Sequence, residues 1–416
     1  MTPKLRFPEF NDNWTIKSIT ELADTSEKYS IVDGPFGSNL KRIHYRNEGV
    51  PIVTSGYVTS GRFYAEEYLY VTNEKFLKEK RSAVKGGDIV MAKIGANCGA
   101  SAILPINHKQ GILSGNALKI SIDKRNNSTY FIWSLLWHLH SSNKLDGLKT
   151  VGAQPSLSMV GLKKFKLVVP DKSEQLKIAS LLSAVDQKIN LLTKKKEALE
   201  SYKKGLMQKI FSQELRFKRE DGTVYPEWES LSFSAVFDRV KRKNKNGLET
   251  VLTISAQLGL VDPTEYFSRD VSSSDKSNYT LLHRNEFAYN KSYSKGYPLG
   301  AIKRNTRYNV GVLSPLYICF ACKNEAFVEY YEHYFESGIF NKQIYRIAQE
   351  GARNHGLLNV SVTEFFEDTT LKHPSKEESL KIRDILTKFD ALITSVSEKL
   401  GAAEQLKKGL LQQMFV

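Results

Sequence analysis

Two spacings in this sequence could do chemistry. Pro170-Asp171 followed by Asp186-Gln187-Lys188 has the P-D…D-x-K form, in which two carboxylates and a lysine converge on Mg²⁺ to cut a phosphodiester. Cys319-Phe320-Ala321-Cys322 is a C-x-x-C, the spacing of a zinc pair or a dithiol. Neither spacing is completed by its surroundings. Asp186 and Lys188 are two apart in a predicted helix, so they diverge by about 200° around its axis. The C-x-x-C lacks two further ligands at suitable spacing and sits in the apolar run 316–322, which reads as a buried strand. The eight histidines form no H-x-x-x-H or H-E-x-x-H. There is no G-x-x-x-x-G-K-[ST], no G-x-G-x-x-G and no G-x-S-x-G, and the Asn-Pro-Pro-aromatic motif of amino-methyltransferases is missing. No catalytic set, no metal set and no ATP loop is therefore expected in this chain.

The bulk properties narrow the class further. Lys and Arg number 60 against 45 Asp and Glu, a net charge of +15. A strongly basic chain with no membrane segment points to nucleic acid, against the bland alternative of a generally Lys-rich proteome. No apolar run approaches the roughly 20 residues that span a bilayer, and the N-terminus lacks the apolar core of a signal peptide. Three cysteines, Cys98, Cys319 and Cys322, fit a reducing compartment. A cytoplasmic protein is expected.

The elements that must position any site show themselves by repetition. Residues 170–211 recur at 374–415 without a gap, a shift of 204 (374 − 170). Lys172, Glu174, Leu176, Lys177 and Ile178 meet Lys376, Glu378, Leu380, Lys381 and Ile382. Asp186 meets Asp390, and Lys203-Lys204-Gly205-Leu206 meets Lys407-Lys408-Gly409-Leu410. Where the first copy reads Pro170-Asp171 and Asp186-Gln187-Lys188, the second reads Pro374-Ser375 and Asp390-Ala391-Leu392, without the nuclease set. Apolar residues step by four and three through Ile178, Leu182, Val185, Ile189 and Leu192 and, past Lys196, resume at Leu199, the a/d seam of a coiled coil. Pro170 and Pro374 stand just before each run and no proline interrupts it. About 35 residues at about 1.5 Å each make a rod of about 50 Å. One such helix would be read as amphipathic and packed on its own domain. Two matched copies favour pairing with each other.

The globular parts repeat more faintly. Residues 1–169 read as short apolar runs broken by Gly and Asx, with a helix predicted over 130–140 and a strand over 165–169. In the second half Leu215-Arg216-Phe217 echoes Leu5-Arg6-Phe7, and Trp228 answers Trp14. Residues 287–291 answer 91–93, a helix over 327–337 answers 130–140, and 350–355 answers 151–156. The Lys/Asn-rich run 241–246 and the Ser-rich run 272–277 belong to the second half alone. One scaffold thus carries two different heads.

Leu5-Arg-Phe-Pro-Glu-Phe with Trp14, Asp33-Gly-Pro-Phe-Gly-Ser-Asn-Leu-Lys, and the twice-used Pro…Glu…Leu-Lys-Ile…Asp…Lys-Lys-Gly-Leu…Phe helix resemble the specificity subunit of a bacterial type I restriction-modification enzyme. The resemblance implies an α+β chain: two similar mixed α/β target recognition domains separated by two long helices that form an antiparallel coiled coil, with internal pseudo-twofold symmetry. The boundaries expected are 1–169 for recognition domain 1, 170–213 for the central helical region, 214–373 for recognition domain 2 and 374–416 for the C-terminal helical region. It also implies a non-enzymatic subunit, each recognition domain reading half of a split, asymmetric site in double-stranded DNA. Two modification (methyltransferase) subunits would dock on it and restriction (translocase and nuclease) subunits would join. S-adenosylmethionine, ATP and Mg would belong to those partners, with no cofactor here. A stand-alone DNA-binding protein and a coiled-coil assembly scaffold are the alternatives.

Base readout needs Arg, Lys, Asn, Gln or Ser on loops, with cations nearby for phosphates. In the first head Ser38, Asn39, Lys41, Arg42, Lys93, Asn97 and Gln154 are candidates. In the second they are Lys291, Tyr293, Ser294, Lys295, Arg353, Asn354 and His355. For each alone, a solvated surface residue is the bland reading. Lys203, Lys204, Lys407 and Lys408 are the candidate partner-docking charges, against a merely solvated helix end.

Overall fold

The computed structural model describes all residues except 1, 36, 151, 153, 266–274 and 349–357, and of Ser38 and Glu265 only the backbone. Its contacts divide the chain into two units, residues 1–193 with 398–416, and residues 194–397. The division cuts across both long helices. Each unit holds one head, the start of the helix that follows that head, and the end of the other helix.

In unit 1 the strands are β1 (Thr15–Ser18), β2 (Ile31–Asp33), β3 (Val50–Val53), β4 (Tyr70–Val71) and β5 (Ala83–Val84). They continue with β6 (Ile89–Ala92), β7 (Ser101–Ile103), β8 (Gly111–Leu113), β9 (Ala117–Ile120) and β10 (Lys166–Val169). One sheet runs β2-β9-β6-β7, a second runs β4-β3-β8-β5, and β1 pairs with β10. Successive residues of a strand face opposite ways. Ile89 and Met91 accordingly enter a core with Phe131, Ile132 and Leu135 of the helix Thr129–Ser141, while Val90 and Ala92 meet Val53 and Leu113 of the second sheet. Both faces of β6 are covered, which is why it reads as an unbroken apolar run.

Unit 2 repeats the main sheet but splits the second into two pairs. Its strands begin with β11 (Glu229–Ser232), β12 (Phe237–Arg239), β13 (Thr253–Ser255), β14 (Gly259–Val261) and β15 (Thr280–His283). Then come β16 (Phe287–Asn290), β17 (Ala301–Arg304), β18 (Val310–Leu313), β19 (Ile318–Cys322) and β20 (Thr370–His373). The main sheet is β12-β19-β16-β17, the same order as in unit 1, the split pairs are β13-β14 and β15-β18, and β11 pairs with β20 as β1 does with β10. Phe287 and Tyr289 face the helix Val328–Glu336, and Ala288 faces the smaller core. The helix expected over 327–337 opens instead with a separate 3₁₀ turn, Glu325–Phe327.

The long helices are Lys172–Phe211 and Lys376–Met414. Asp171 caps the first, accepting from the Glu174 N–H at 2.8 Å, and Ser375 caps the second, accepting from the Glu378 N–H at 3.3 Å. Within unit 1 the helices run antiparallel: Val185 and Ile189 pack with Ala403, and Ile178 and Leu182 share a core with Leu411 and Met414. Within unit 2 Tyr202 stacks near Phe389, and Ile210 and Phe211 share a core with Ile382 and Leu386.

Each helix is bound to its head by a buried carboxylate. Glu174 accepts from Arg6 Nε and Nη2, both at 2.8 Å, and from Trp14 Nε1 at 3.2 Å. Glu378 accepts from Arg216 Nε at 3.3 Å, Arg216 Nη2 at 3.0 Å and Trp228 Nε1 at 2.8 Å. Both carboxylates are essentially inaccessible, at 1% and 0%. Removing one charge of such a pair strands the other. Glu174→Gln and Glu378→Gln are each expected to lower stability by about 3 kcal/mol, read by denaturant unfolding. Midpoints equal to the parent's would show that the clamp is not structural.

Candidate nucleic-acid interface

In head 1 the strands β2 and β6 flank β9 and both run antiparallel to it, so the loops that leave them depart at one edge of the sheet. Gly34 turns the first loop where the chain touches β8: a Cβ there would lie 2.0 Å from the Ser114 carbonyl oxygen. Lys93 joins the loops. Its amine meets Asp33 at 2.6 Å, its N–H donates to the Asn116 carbonyl at 2.8 Å, and its carbonyl accepts from Leu157 at 2.9 Å. Gly95 N–H donates to the Pro155 carbonyl at 2.9 Å, which brings residues 154–157 to the same edge. Asn39, Lys41, Arg42, Asn97 and Gln154 stand exposed on these loops. Ser38 lies in the turn Gly37–Asn39, and its side chain is outside the description. Lys93 must be corrected: it is 9% exposed and committed to Asp33, so it positions the loops rather than presenting a free cation.

In head 2 the loop after β16 holds the other candidates. Leu358 N–H donates to the Lys291 carbonyl at 3.0 Å, the counterpart of the bond from Leu157 to Lys93. Ser294 and Tyr297 exchange backbone bonds of 3.2 and 2.8 Å, closing a turn that exposes Tyr293 and Lys295 and leaves Ser294 half-buried. Lys303 meets Glu336 at 2.5 Å, and the Tyr297 hydroxyl donates to the same carboxylate. Lys291 is half-buried. Arg353, Asn354 and His355 lie outside the described residues. The candidate set omitted the run that follows β12. Lys241, Arg242, Lys243 and Lys245 are all exposed there. Arg242 pairs with Glu286, and Lys243 Nζ donates to the Asn278 carbonyl at 2.7 Å. Its density of cations was the available signal.

The helix lysines also need correction. Lys407 meets Asp186 at 2.7 Å, and Asp186 accepts from the Tyr130 hydroxyl as well. Lys203 pairs with Asp390, with His333 Nε2 at 3.9 Å from that carboxylate. Lys203 and Lys407 therefore hold each unit together and are not free docking charges. Lys204 and Lys408 are exposed and, among the described residues, have no ion-pair partner. The same geometry disposes of the nuclease spacing. Asp171 is a helix cap, Asp186 is an ion-pair partner, and about 22 Å of helix separates them. Burial pushes the Cys319 thiol up to about 12 and Cys322 up to about 11. Among the described residues no group of His, Cys, Asp and Glu could hold a metal ion, and no helix is long and apolar enough to cross a membrane.

Two outcomes are expected. Lys203→Glu and Lys407→Glu should each cost about 2 kcal/mol or more, because each leaves an aspartate facing a like charge. Lys204→Glu and Lys408→Glu should stay within about 0.5 kcal/mol of the parent. Equal unfolding midpoints for all four would refute the division. The second outcome concerns pH. Burial, then Lys203 and Arg304, depress His333 from 6.5 to about 3. Above 6.5 the imidazole is neutral in both folded and unfolded chains and contributes no pH dependence. Below 6.5 the unfolded chain takes up a proton that the folded chain refuses, so stability falls as pH drops toward about 3. Thermal unfolding of the parent and of His333→Gln at descending pH checks this; parallel curves for the two would exclude His333 as the cause.

Residues 11–201 match the family model for the type I restriction modification DNA specificity domain. The chain is 27% identical over 194 residues to the type I restriction enzyme MjaVIII specificity subunit of Methanocaldococcus jannaschii, covering 45% of this chain and 42% of that subunit. It is 31% identical over 120 residues to the putative MjaX specificity subunit of the same organism, 27% and 28% of the two chains. The chain thus spans less than half the length of the curated relatives it matches. The crystal structure of a type-I restriction-modification S subunit from M. genitalium superposes with a TM-score of 0.58 at 15% identity, over 100% of this chain and 99% of that one. A chain from a structural study of type I R-M complex assembly superposes at 0.51 and 12% identity, over 98% of each chain. The likeness in fold spans the whole chain, and the match to the type I specificity domain falls on its first head and the helix that follows it.

Proposed function

We propose that this chain is the non-catalytic subunit that gives a type I restriction-modification complex its DNA sequence specificity. Each head reads one half of a bipartite, asymmetric site in double-stranded DNA. The observation that carries this reading is one sheet order used twice, with different polar and basic loops at the same edge. Asn39, Lys41, Arg42, Asn97 and Gln154 are the reading candidates of head 1, and Tyr293, Ser294 and Lys295 those of head 2. The helices dock two modification subunits, with Lys204 and Lys408 as exposed contact charges, and restriction subunits join that assembly. Adenine methylation with S-adenosylmethionine, and any work using ATP and Mg, belong to those partners. The complex acts in the cytoplasm, where its DNA is. A stand-alone DNA-binding regulator would share the heads but would not co-purify with a methyltransferase.

Mapping methylated adenines in cells that express this chain with its methyltransferase is expected to give two different short sequences around an unread spacer. Replacing residues 1–169 with the head of another family member should change one half-site and leave the other. A continuous or palindromic motif, or a change in both halves, would contradict the reading.

A further inference from the structure

The sheets allow the two heads to be compared rung by rung. In head 1, Ile89 and Ile31 both pair with Ile120. In head 2, Phe287 and Arg239 both pair with Phe320. Matching these rungs puts Lys291 where Lys93 stands, and Lys241 where Asp33 stands. Two further observations agree with the match. Val32 and Val240 coincide, and each is buried in the smaller core of its head. The carbonyls of Lys93 and Lys291 accept the equivalent bonds from Leu157 and Leu358.

The match exposes a change of charge. In head 1 the two positions form an ion pair, Asp33 with Lys93, whose side chains are 14% and 11% exposed, and Asp33 also takes the exposed Arg81 at 3.1 Å. In head 2 both positions are cations. Lys241 is exposed and Lys291 half-buried, and among the described residues neither has an ion-pair partner. Two ammonium groups at neighbouring positions repel unless an anion stands between them. Nearby Arg242 is already neutralised by Glu286, whereas Lys245 and Lys295 are exposed.

We propose that Lys241 and Lys291 form a phosphate-contacting site on head 2 that head 1 has closed internally with Asp33. This rests on the DNA-reading function proposed above. The ligand is a backbone phosphodiester, which two compact, strongly hydrated ammonium groups suit as point charges. The heads then hold DNA unequally: at these positions head 2 offers both lysines to phosphates, whereas head 1 ties Lys93 to Asp33.

The test measures affinity of the full chain for a random-sequence DNA duplex between about 50 and 200 mM salt. Each lost phosphate contact lowers the slope of log affinity against log salt by about 0.9. Lys241→Gln is expected to lower it by about 0.9, and Lys241→Asp, which rebuilds the head 1 pair by capturing Lys291, by about 1.8. Lys241→Gln keeps the test decisive should the aspartate variant fold poorly, because Lys241 is exposed. Slopes equal to the parent's, with the parent binding, would overturn the site and leave the DNA-reading function standing. A parent chain that does not bind the duplex even at the lowest salt would overturn both.

Discussion

Two carboxylates placed where water cannot reach them hold this molecule's plan together. Glu174 and Glu378 each sit in the first turn of a long helix, next to a cap and at the positive end of the helix dipole. Burial of a carboxylate is costly unless donors satisfy it, and here a two-pronged arginine and an indole N–H do so. Both donors come from the arm that opens each head, Arg6 with Trp14 and Arg216 with Trp228. The direction in which a helix leaves its head is thereby set by a geometric requirement rather than by contact area alone. The end of the other helix enters by the same logic. Leu5 N–H donates to the Gln413 carbonyl at 2.9 Å, and Leu215 N–H donates to the Lys209 carbonyl at 3.0 Å. Both carbonyls belong to last turns, which otherwise lack partners.

With the frame fixed, the cores are free to differ. At matched rungs unit 1 has Ile89, Met91 and Ile120 where unit 2 has Phe287, Tyr289 and Phe320. Phe287 and Phe320 stack with centroids 5.5 Å apart, and Phe233, Phe237 and Phe335 extend the cluster. Aromatic rings fill by edge and face what aliphatic side chains fill by branching. The same strand order thus accommodates two packing solutions, and the heads look unlike in sequence while agreeing in the order of their main sheet.

That contrast decides what could be read from the residues alone. The helices were legible because a seam of Ile178, Leu182, Val185 and Ile189 recurs as spacing, and spacing survives without knowledge of partners. The helix Thr129–Ser141 was legible for the same reason. The partners themselves were not. Nothing in the lysines at 203 and 407 distinguishes a docking charge from half of an ion pair until Asp390 and Asp186 are brought beside them. Lys93 looked like a reading residue because it follows a strand; that it faces Asp33, sixty positions away, is a tertiary fact. The run at 241–246 was visible as composition, yet its place across β19 from the strand that leads to Lys291 follows only from strand register.

The ion pairs on the helices show why the repeated segment must stay alike although the heads need not. The aspartate of the first copy, Asp186, takes the lysine of the second, Lys407; the aspartate of the second, Asp390, takes the lysine of the first, Lys203. One sequence therefore supplies both halves of a contact that is made twice. Changing the aspartate in one copy unpairs the lysine of the other, and the damage falls in a single unit. A head loop has no such reciprocal partner, since its exposed residues face solvent or ligand. Self-complementarity constrains the helices to match each other, and its absence lets the two edges of the heads carry different charges, as Asp33 and Lys241 do at one and the same rung.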